Sequence, residues 1–83
     1  MQTLTLANLP LNKTAYINYL DLNGELRRRL LDLGFSAGNR VIPLFRSPAG
    51  DPTAYMIMGS VIAIRKDDAN RIFVKTPQKG EYM

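Results

Sequence analysis

Short apolar stretches separated by turn-forming residues predict a mainly β protein. Gly, Pro or Asn recurs about every ten residues, which is typical of several short strands and not of long helices. Within the stretches, β-branched and aromatic residues alternate with polar ones or form brief apolar runs. The predicted strands are Thr3–Leu6, Thr14–Leu20, Arg40–Arg46, Ala54–Met58, Val61–Arg65 and Ile72–Lys75.

One segment, about 24–33, has helical periodicity. At about 100° per residue, Leu26, Leu30 and Leu33 fall in one narrow stripe that can face a core. Asn23 stands where a helix needs an N-cap, and its side chain is of the type that accepts a hydrogen bond from the first turn. The sequence therefore predicts a single amphipathic helix.

The predicted end of this helix is a Schellman motif. Gly34 occupies the position that takes a left-handed conformation, and Phe35 follows it, placed to pack back on Leu30. A second, single helical turn is predicted at about 67–70, capped by Asp67.

Three other positions predict the form of the turns and of one strand. Gly38 indicates a turn after the helix, and the pair Gly59-Ser60 predicts a two-residue hairpin loop of type II′. Pro43 interrupts a strand and cannot donate to a ladder, so its nitrogen must face a sheet edge or a bulge.

These elements predict the fold class and the domain boundaries. Five to six short strands leave too few residues for two packed sheets, so we expect a small, partly open SH3-like barrel with the helix covering one end or side. We expect one domain over residues 1–75 and a flexible C-terminal tail over residues 76–83.

Composition excludes most kinds of chemistry. The chain has 83 residues, of which 46% are hydrophobic, and it has neither histidine nor cysteine. It therefore lacks the commonest general base, a thiol nucleophile and the preferred ligands of zinc and ferrous iron. Phosphate-binding glycine motifs are also absent. We expect a binding or regulatory module without catalytic residues, metal site, cofactor or small-molecule substrate.

The methionines Met56 and Met58 are predicted to share one strand face, where apolar packing is more common for such a pair than a soft-metal site. That face, or the strand edge at Pro43, is also where weak self-association could occur. The neighbouring carboxylates Asp67 and Asp68 fit helix capping and solvation better than cation binding.

The net charge of +4 is compatible with a protein partner, an anionic surface or nucleic acid. The densest basic cluster is Arg27-Arg28-Arg29 on the helix, and Leu31 lies well off the apolar stripe. Either the barrel wraps round the helix far enough to bury Leu31, or Leu31 and Arg27 form an exposed contact patch.

Two other interpretations follow from the sequence. Phe45-Arg46 and Phe73-Val74-Lys75 bring aromatic and basic residues together, as in a small RNA-binding β-barrel. No apolar run approaches the roughly 20 residues that cross a bilayer, and no secretory signal precedes the first strand, so we expect a cytoplasmic protein without membrane insertion.

The chain resembles the FeoA family. The resemblance rests on the run from Glu25 to Phe35, the turn Gly38-x-x-Val41, the loop Gly50-Asp51-Pro52 and the run from Gly59 to Ala69. It extends from about residue 3 to residue 74. The family often has glycine where Asn12 stands, which requires Asn12 to adopt a turn conformation that asparagine tolerates.

The resemblance implies an SH3-like accessory protein of bacterial ferrous-iron uptake that acts on the cytosolic, GTPase-bearing region of the FeoB transporter. It further implies recruitment to the inner face of the membrane by that partner, with no role for nucleic acid. The partner-binding residues that we predict are Arg27, Arg28, Leu31, Arg46 and Arg65. A sharper version, in which one arginine reaches the partner's GTP site, has no residue that the sequence singles out.

Overall fold

The computed structural model describes residues 2–77, and that range contains six strands and two α-helices. A 3₁₀ turn at Leu6–Asn8 follows the first strand. The elements are β1 (Gln2–Thr5), β2 (Ala15–Leu20), α1 (Gly24–Asp32), β3 (Arg40–Arg46), β4 (Thr53–Ile57), β5 (Ser60–Ile64), α2 (Lys66–Ala69) and β6 (Ile72–Thr76).

The strands form one antiparallel sheet in the order β1-β6-β2-β3-β4-β5. The last strand of the chain lies between the first two, so the sheet brings the two ends of the described chain together. The sheet does not close, because β1 and β5 each pair with a single neighbour. This confirms the prediction of a mainly β, partly open barrel. Of the predicted tail, residues 76–83, the part from residue 78 to residue 83 lies outside the described residues.

The core lies on the concave side of this sheet and is entirely apolar apart from one phenol. Leu30, Phe35, Val41, Ile57 and Val74 are at most 4% exposed, and Tyr55 is 2% exposed. The remaining core residues are Leu6, Leu9, Ala15, Ile17, Ile64, Ala69 and Ile72. Burial of these apolar side chains is the main source of stability in a domain of this size.

The helix α1 covers the core with the predicted stripe. Leu30 is buried, and Leu26 and Leu33 are half-buried and pack against the core. Asn23 has the extended backbone of an N-cap, but its side chain makes no capping hydrogen bond, so that part of the prediction is wrong.

The end of α1 is a complete Schellman motif. The N–H of Phe35 donates to the carbonyl of Leu30 at 2.9 Å, and the N–H of Gly34 donates to that of Leu31 at 3.1 Å. Gly34 has φ +111° and Phe35 is fully buried. Helix α1 therefore ends where the sequence predicts, with its last aromatic side chain in the core.

The hairpin between β4 and β5 differs from the predicted type II′ turn at Gly59-Ser60. Ile57 pairs with Ser60, so the two loop residues are Met58 and Gly59. Both have positive φ, +48° and +81°, which is the type I′ geometry. The reason is burial: Ile57 lies in the core opposite Val41, and this pairing shifts both strands by one residue.

The cap of α2 also differs from the prediction. The helix begins at Lys66, one residue earlier than expected, and Asp67 lies in its first turn without capping it. The backbone N–H of Lys66 instead donates to the Oδ1 of Asp51 at 2.9 Å. The acceptor comes from a loop 15 residues earlier, so tertiary contact and not local sequence supplies the cap.

Pro43 lies in an internal strand and not at a sheet edge, and the pairing of β3 with β4 shifts between Pro43 and Phe45 as in a bulge. The sequence predicted either a sheet edge or a bulge at Pro43, and the structure has the bulge. The carbonyl of Pro43 accepts a hydrogen bond from the N–H of Asn12 at 2.7 Å, and Asn12 has φ +67°. The turn conformation expected of Asn12 is therefore present.

Gly34→Ala tests the contact between α1 and the hairpin tip. A Cβ at Gly34 would lie 2.5 Å from the Cγ of Met58 and 3.1 Å from its Cβ. We expect the variant to lose about 2–3 kcal/mol in the free energy of unfolding, from positive φ and from this collision. Urea denaturation measures the loss.

Gly50→Ala is the matched control, because Gly50 has φ +90° and a Cβ added there would meet no heavy atom within 4 Å. We expect about 1 kcal/mol for backbone strain alone. Equal losses in the two variants would show that the Met58 contact contributes nothing.

The phenol of Tyr55 makes the stability of the fold depend on pH in the alkaline range. Burial raises the pKa of its phenol above the usual 10.0; the Thr53 hydroxyl and the Arg46 charge oppose this shift, and the Asp51 charge adds to it. The folded state therefore favours the neutral phenol, and its stabilisation is present below pH 10.0 and lost as pH rises through the folded pKa.

We expect the free energy of unfolding to fall more steeply above pH 10 in the wild-type chain than in Tyr55→Phe, which has no phenol to ionise. Urea denaturation across this pH range measures both slopes. Parallel slopes would show that Tyr55 titrates alike in the folded and unfolded states.

Candidate partner-binding surface

The outer side of β3, β4 and β5, opposite the core, is built from apolar residues in two cross-strand rows. Ile42 pairs with Met56, which pairs with Val61. Residues directly opposite one another on neighbouring strands point to the same face, so these three side chains are neighbours. The buried partners Val41 and Ile57, one position along, point to the core.

The second row is Phe45, Ala54 and Ala63, paired in the same way. The bulge between Pro43 and Phe45 places Phe45 on the outer side, because the extra residue resets the alternation of the strand. We call the two rows together the apolar face: Ile42, Phe45, Ala54, Met56, Val61 and Ala63.

Much of the apolar face is open to solvent. Phe45 is 57% exposed and Val61 is 53% exposed, and Ala63 is also exposed. Side chains of this kind, contiguous on one sheet face, are typical of a protein-binding surface. A stable fold does not require Phe45 in this position, since its ring contributes little to the core.

The apolar face continues to a free strand edge. Strand β5 pairs only with β4, and its sequence Ser60–Ile64 contains no charged residue and no proline. Monomeric proteins usually protect such an edge with charges, prolines or bulges. Strand β5 can therefore accept a further strand or a flat apolar surface from a partner.

Arg46 and Arg65 lie at one border of this face. Arg46 pairs with Thr53, which pairs with Ile64, the residue before Arg65. Two strand spacings separate the two arginine backbones, which is about 10 Å. Both side chains are exposed, but Arg46 shares the core side of its partner Thr53, whereas Arg65 follows the core-facing Ile64 and gives the outer side a basic border away from the hairpin turn.

The predicted residues of α1 form a second surface. Arg27 and Arg28 are exposed, and Leu31 is half-buried without joining the residues that pack against the core. The side chain of Arg28 donates to the Oε1 of Glu25 at 3.2 Å. In the described residues this is the one ion pair, and it is exposed.

The five predicted partner residues thus do not form one compact group. Leu31 lies in the last turn of α1, whose end at Gly34 adjoins Met58 at the hairpin tip. Arg46 and Arg65 lie at the other end of the hairpin. Met58 lies in the turn, 66% exposed, so the prediction that it shares a strand face with Met56 is wrong.

Sequence reasoning missed the apolar face, although its members were all in predicted strands. Both faces of β3 are apolar, so the sequence pattern does not show which side faces the core. The pairing order of the strands was also unknown. Only the register shows that Phe45, Ala54 and Ala63 are neighbours.

Aromatic and basic residues also meet on the outer side of β2 and β6. Tyr16 lies between Lys75 and Arg40 in one row. In the next cross-strand row, the rings of Tyr19 and Phe73 stack, with 4.7 Å between their centroids and 7° between their planes. Tyr19 is 51% exposed, so one face of this stack is open to solvent.

Among the described residues, no group of three or more carboxylate, imidazole or thiol side chains is arranged to hold a metal ion. No helix in residues 2–77 is both long and apolar enough to span a bilayer.

Residues 4–76 match the family model of the FeoA domain. The chain is 31% identical over 70 residues to the Fe(2+) transport protein A/Fe(2+) transporter FeoB fusion protein of Porphyromonas gingivalis. That match covers 84% of this chain and 8% of the fusion protein, so the chain spans about a twelfth of the length of this relative.

Two solved structures are similar over most of the chain. The FeoA protein of Chlorobium tepidum has a TM-score of 0.85 and 28% identity, and the match covers 90% of this chain and 71% of that one. The zinc-complexed FeoA of Stenotrophomonas maltophilia, described as a procaryotic SH3 domain protein, has a TM-score of 0.75 and 32% identity over 87% of this chain and 89% of that one. The fold, the family model and these relatives agree, and the chain belongs to the FeoA family, which is linked to ferrous-iron transport.

Proposed function

We propose that this chain is a non-enzymatic accessory protein of ferrous-iron uptake that binds the cytosolic, GTPase-bearing region of a FeoB transporter. The observation that carries the proposal is the relative in which the two proteins are one polypeptide. A fusion holds two domains at a high effective concentration, so only a separate chain needs a surface that binds its partner strongly.

The apolar face is the surface best suited to this task. It offers exposed Phe45 and Val61 as anchors, and aromatic and aliphatic groups of this kind carry much of the energy of protein interfaces. Arg65 at its border, with Arg46 on the other side of the same sheet end, provides charge that orients a partner during association. The flank of α1, with Arg27, Arg28 and Leu31, is the competing surface.

We expect the wild-type chain to bind the isolated cytosolic region of a FeoB transporter from the same organism, and Val61→Glu to weaken that binding at least about tenfold, because the variant places a carboxylate within the apolar face. Titration of the ¹⁵N-labelled chain with the FeoB region, followed by NMR, measures the affinity and identifies the contacted amides.

Two further variants separate the surfaces. Thr3→Glu introduces the same charge at an exposed position of the edge strand β1, outside the apolar face, and we expect it to bind like wild type. Leu31→Glu tests the helix flank: a loss confined to Leu31→Glu would transfer the interface to α1. Absence of binding by the wild-type chain would contradict the proposed function.

The aromatic and basic residues on the outer side of β2 and β6 support a second candidate function, RNA binding. An open ring face at Tyr19 can stack on a base, and Arg40 and Lys75 lie in the adjoining row to contact phosphates. This surface adjoins the apolar face along β3 but shares no residue with it, so substitution of Tyr19 tests it independently.

If this surface binds RNA, fluorescence anisotropy with a mixed single-stranded RNA will show binding at low salt that weakens steeply as salt rises. Tyr19→Ala should then reduce the affinity several-fold through loss of base stacking, roughly 1–3 kcal/mol. No anisotropy change at low salt would exclude this function.

A further inference from the structure

A polar pocket lies on the core side of the sheet, at the end of β3 where Arg46 stands, opposite the apolar face. Its volume is about 150 Å³. At about 30 Å³ per water molecule, it has room for a small polyatomic ion. Its lining residues are Ala7, Asn8, Arg46, Gly50, Thr53, Tyr55 and Lys66.

Four separate parts of the fold supply this lining. Asn8 ends the 3₁₀ turn, Arg46 ends β3, Thr53 begins β4 and Lys66 begins α2. Their side chains carry a carboxamide, a guanidinium, a hydroxyl and an ammonium group, all of which donate hydrogen bonds. Donors that approach one volume from different elements match a ligand with several acceptor oxygens and not a flat or apolar one.

The inner wall of the pocket is rigid and polar. Tyr55 is 2% exposed, with its ring in the core, and it is one of the pocket's lining residues. Arg46 and Thr53 are cross-strand partners of β3 and β4, and both line the pocket with Tyr55. Because Tyr55 is buried, its phenol loses little side-chain entropy when a ligand binds.

Cations outnumber anions at this pocket. No carboxylate of residues 2–77 lies within 4 Å of the charged nitrogens of Arg46 or Lys66. The Oδ1 of Asp51 accepts the backbone N–H of Lys66. Asp51 does not line the pocket, whereas the cationic residues Arg46 and Lys66 both do.

We propose that this pocket binds a phosphate group, held by Arg46 and Lys66 through charge and oriented by the donors of Asn8, Thr53 and Tyr55. A phosphate presents four tetrahedral oxygens, which suits donors that converge from different directions, and the guanidinium of Arg46 can bind two of them. The same chemistry is found in inorganic phosphate and in the phosphate of a nucleotide.

NMR titration of the isolated ¹⁵N-labelled chain, at constant ionic strength, tests the proposal with inorganic phosphate and with guanosine monophosphate in separate arms. We expect saturable shifts at the amides of Asn8, Thr53, Lys66 and their neighbours. Saturation in both arms assigns the site to the phosphate alone, and saturation with the nucleotide only assigns it to a larger phosphate-bearing ligand; both outcomes support the pocket.

Arg46→Ala should weaken the affinity about tenfold, since it removes a charged donor. Arg29→Ala is the matched control: Arg29 is an exposed arginine of α1, outside the pocket, and this variant should bind like wild type. Tyr55→Phe should cost about fivefold through loss of one neutral donor. Lys66→Met provides a second charge deletion should Arg46→Ala disturb β3.

Shifts that stay linear to the end of both titrations, or that decrease equally in Arg46→Ala and Arg29→Ala, would overturn the proposal and indicate general charge screening. Because no transporter domain is present in the experiment, this outcome is independent of whether the chain binds FeoB.

Discussion

The end of α1 is the point on which the rest of the fold depends. Two backbone hydrogen bonds, from Phe35 to Leu30 and from Gly34 to Leu31, end the helix and turn the chain into the core. Phe35 is fully buried there, and the missing Cβ of Gly34 leaves the space that Met58 occupies at the tip of the β4–β5 hairpin. One glycine thus permits the helix end, the aromatic anchor and the hairpin to occupy neighbouring positions. The hairpin carries four of the six residues of the apolar face, so the geometry of that face also rests on this contact.

The division of β3, β4 and β5 into two apolar sides connects stability with function. Their inner side holds Val41, Tyr55 and Ile57 in the core, where burial is complete or nearly so. Their outer side exposes Phe45 and Val61, which a monomer has no reason to leave in water. The two binding surfaces that we propose differ in kind: an apolar face with a free strand edge, and a basic pocket on the opposite side of the same sheet.

Most of the elements could be predicted because their signals are local. The stripe of Leu26, Leu30 and Leu33 and the Gly34-Phe35 pair define α1 within a dozen residues, and the observed helix follows them closely. The predictions of the hairpin turn and of the α2 cap were wrong because a residue distant in the sequence determines the local conformation. The buried pairing of Ile57 with Val41 moved the hairpin turn onto Met58-Gly59, a choice that local turn preferences oppose because methionine rarely takes positive φ. The same holds for α2, whose cap is Asp51 and not the nearby Asp67.

The sequence by itself determined that this chain forms short strands and one amphipathic helix, and that it contains no imidazole or thiol. These properties follow from residue type, periodicity and glycine placement, which act over a few positions of the chain. Tertiary structure decided which strands are neighbours and therefore which side chains form a site. The order β1-β6-β2-β3-β4-β5 joins Phe45 to Ala63 across β4, and the chain path brings Asn8 and Lys66 into one pocket although 58 positions (66 − 8) separate them. Pairing energy between strands depends on the whole buried surface, so no local pattern specifies it.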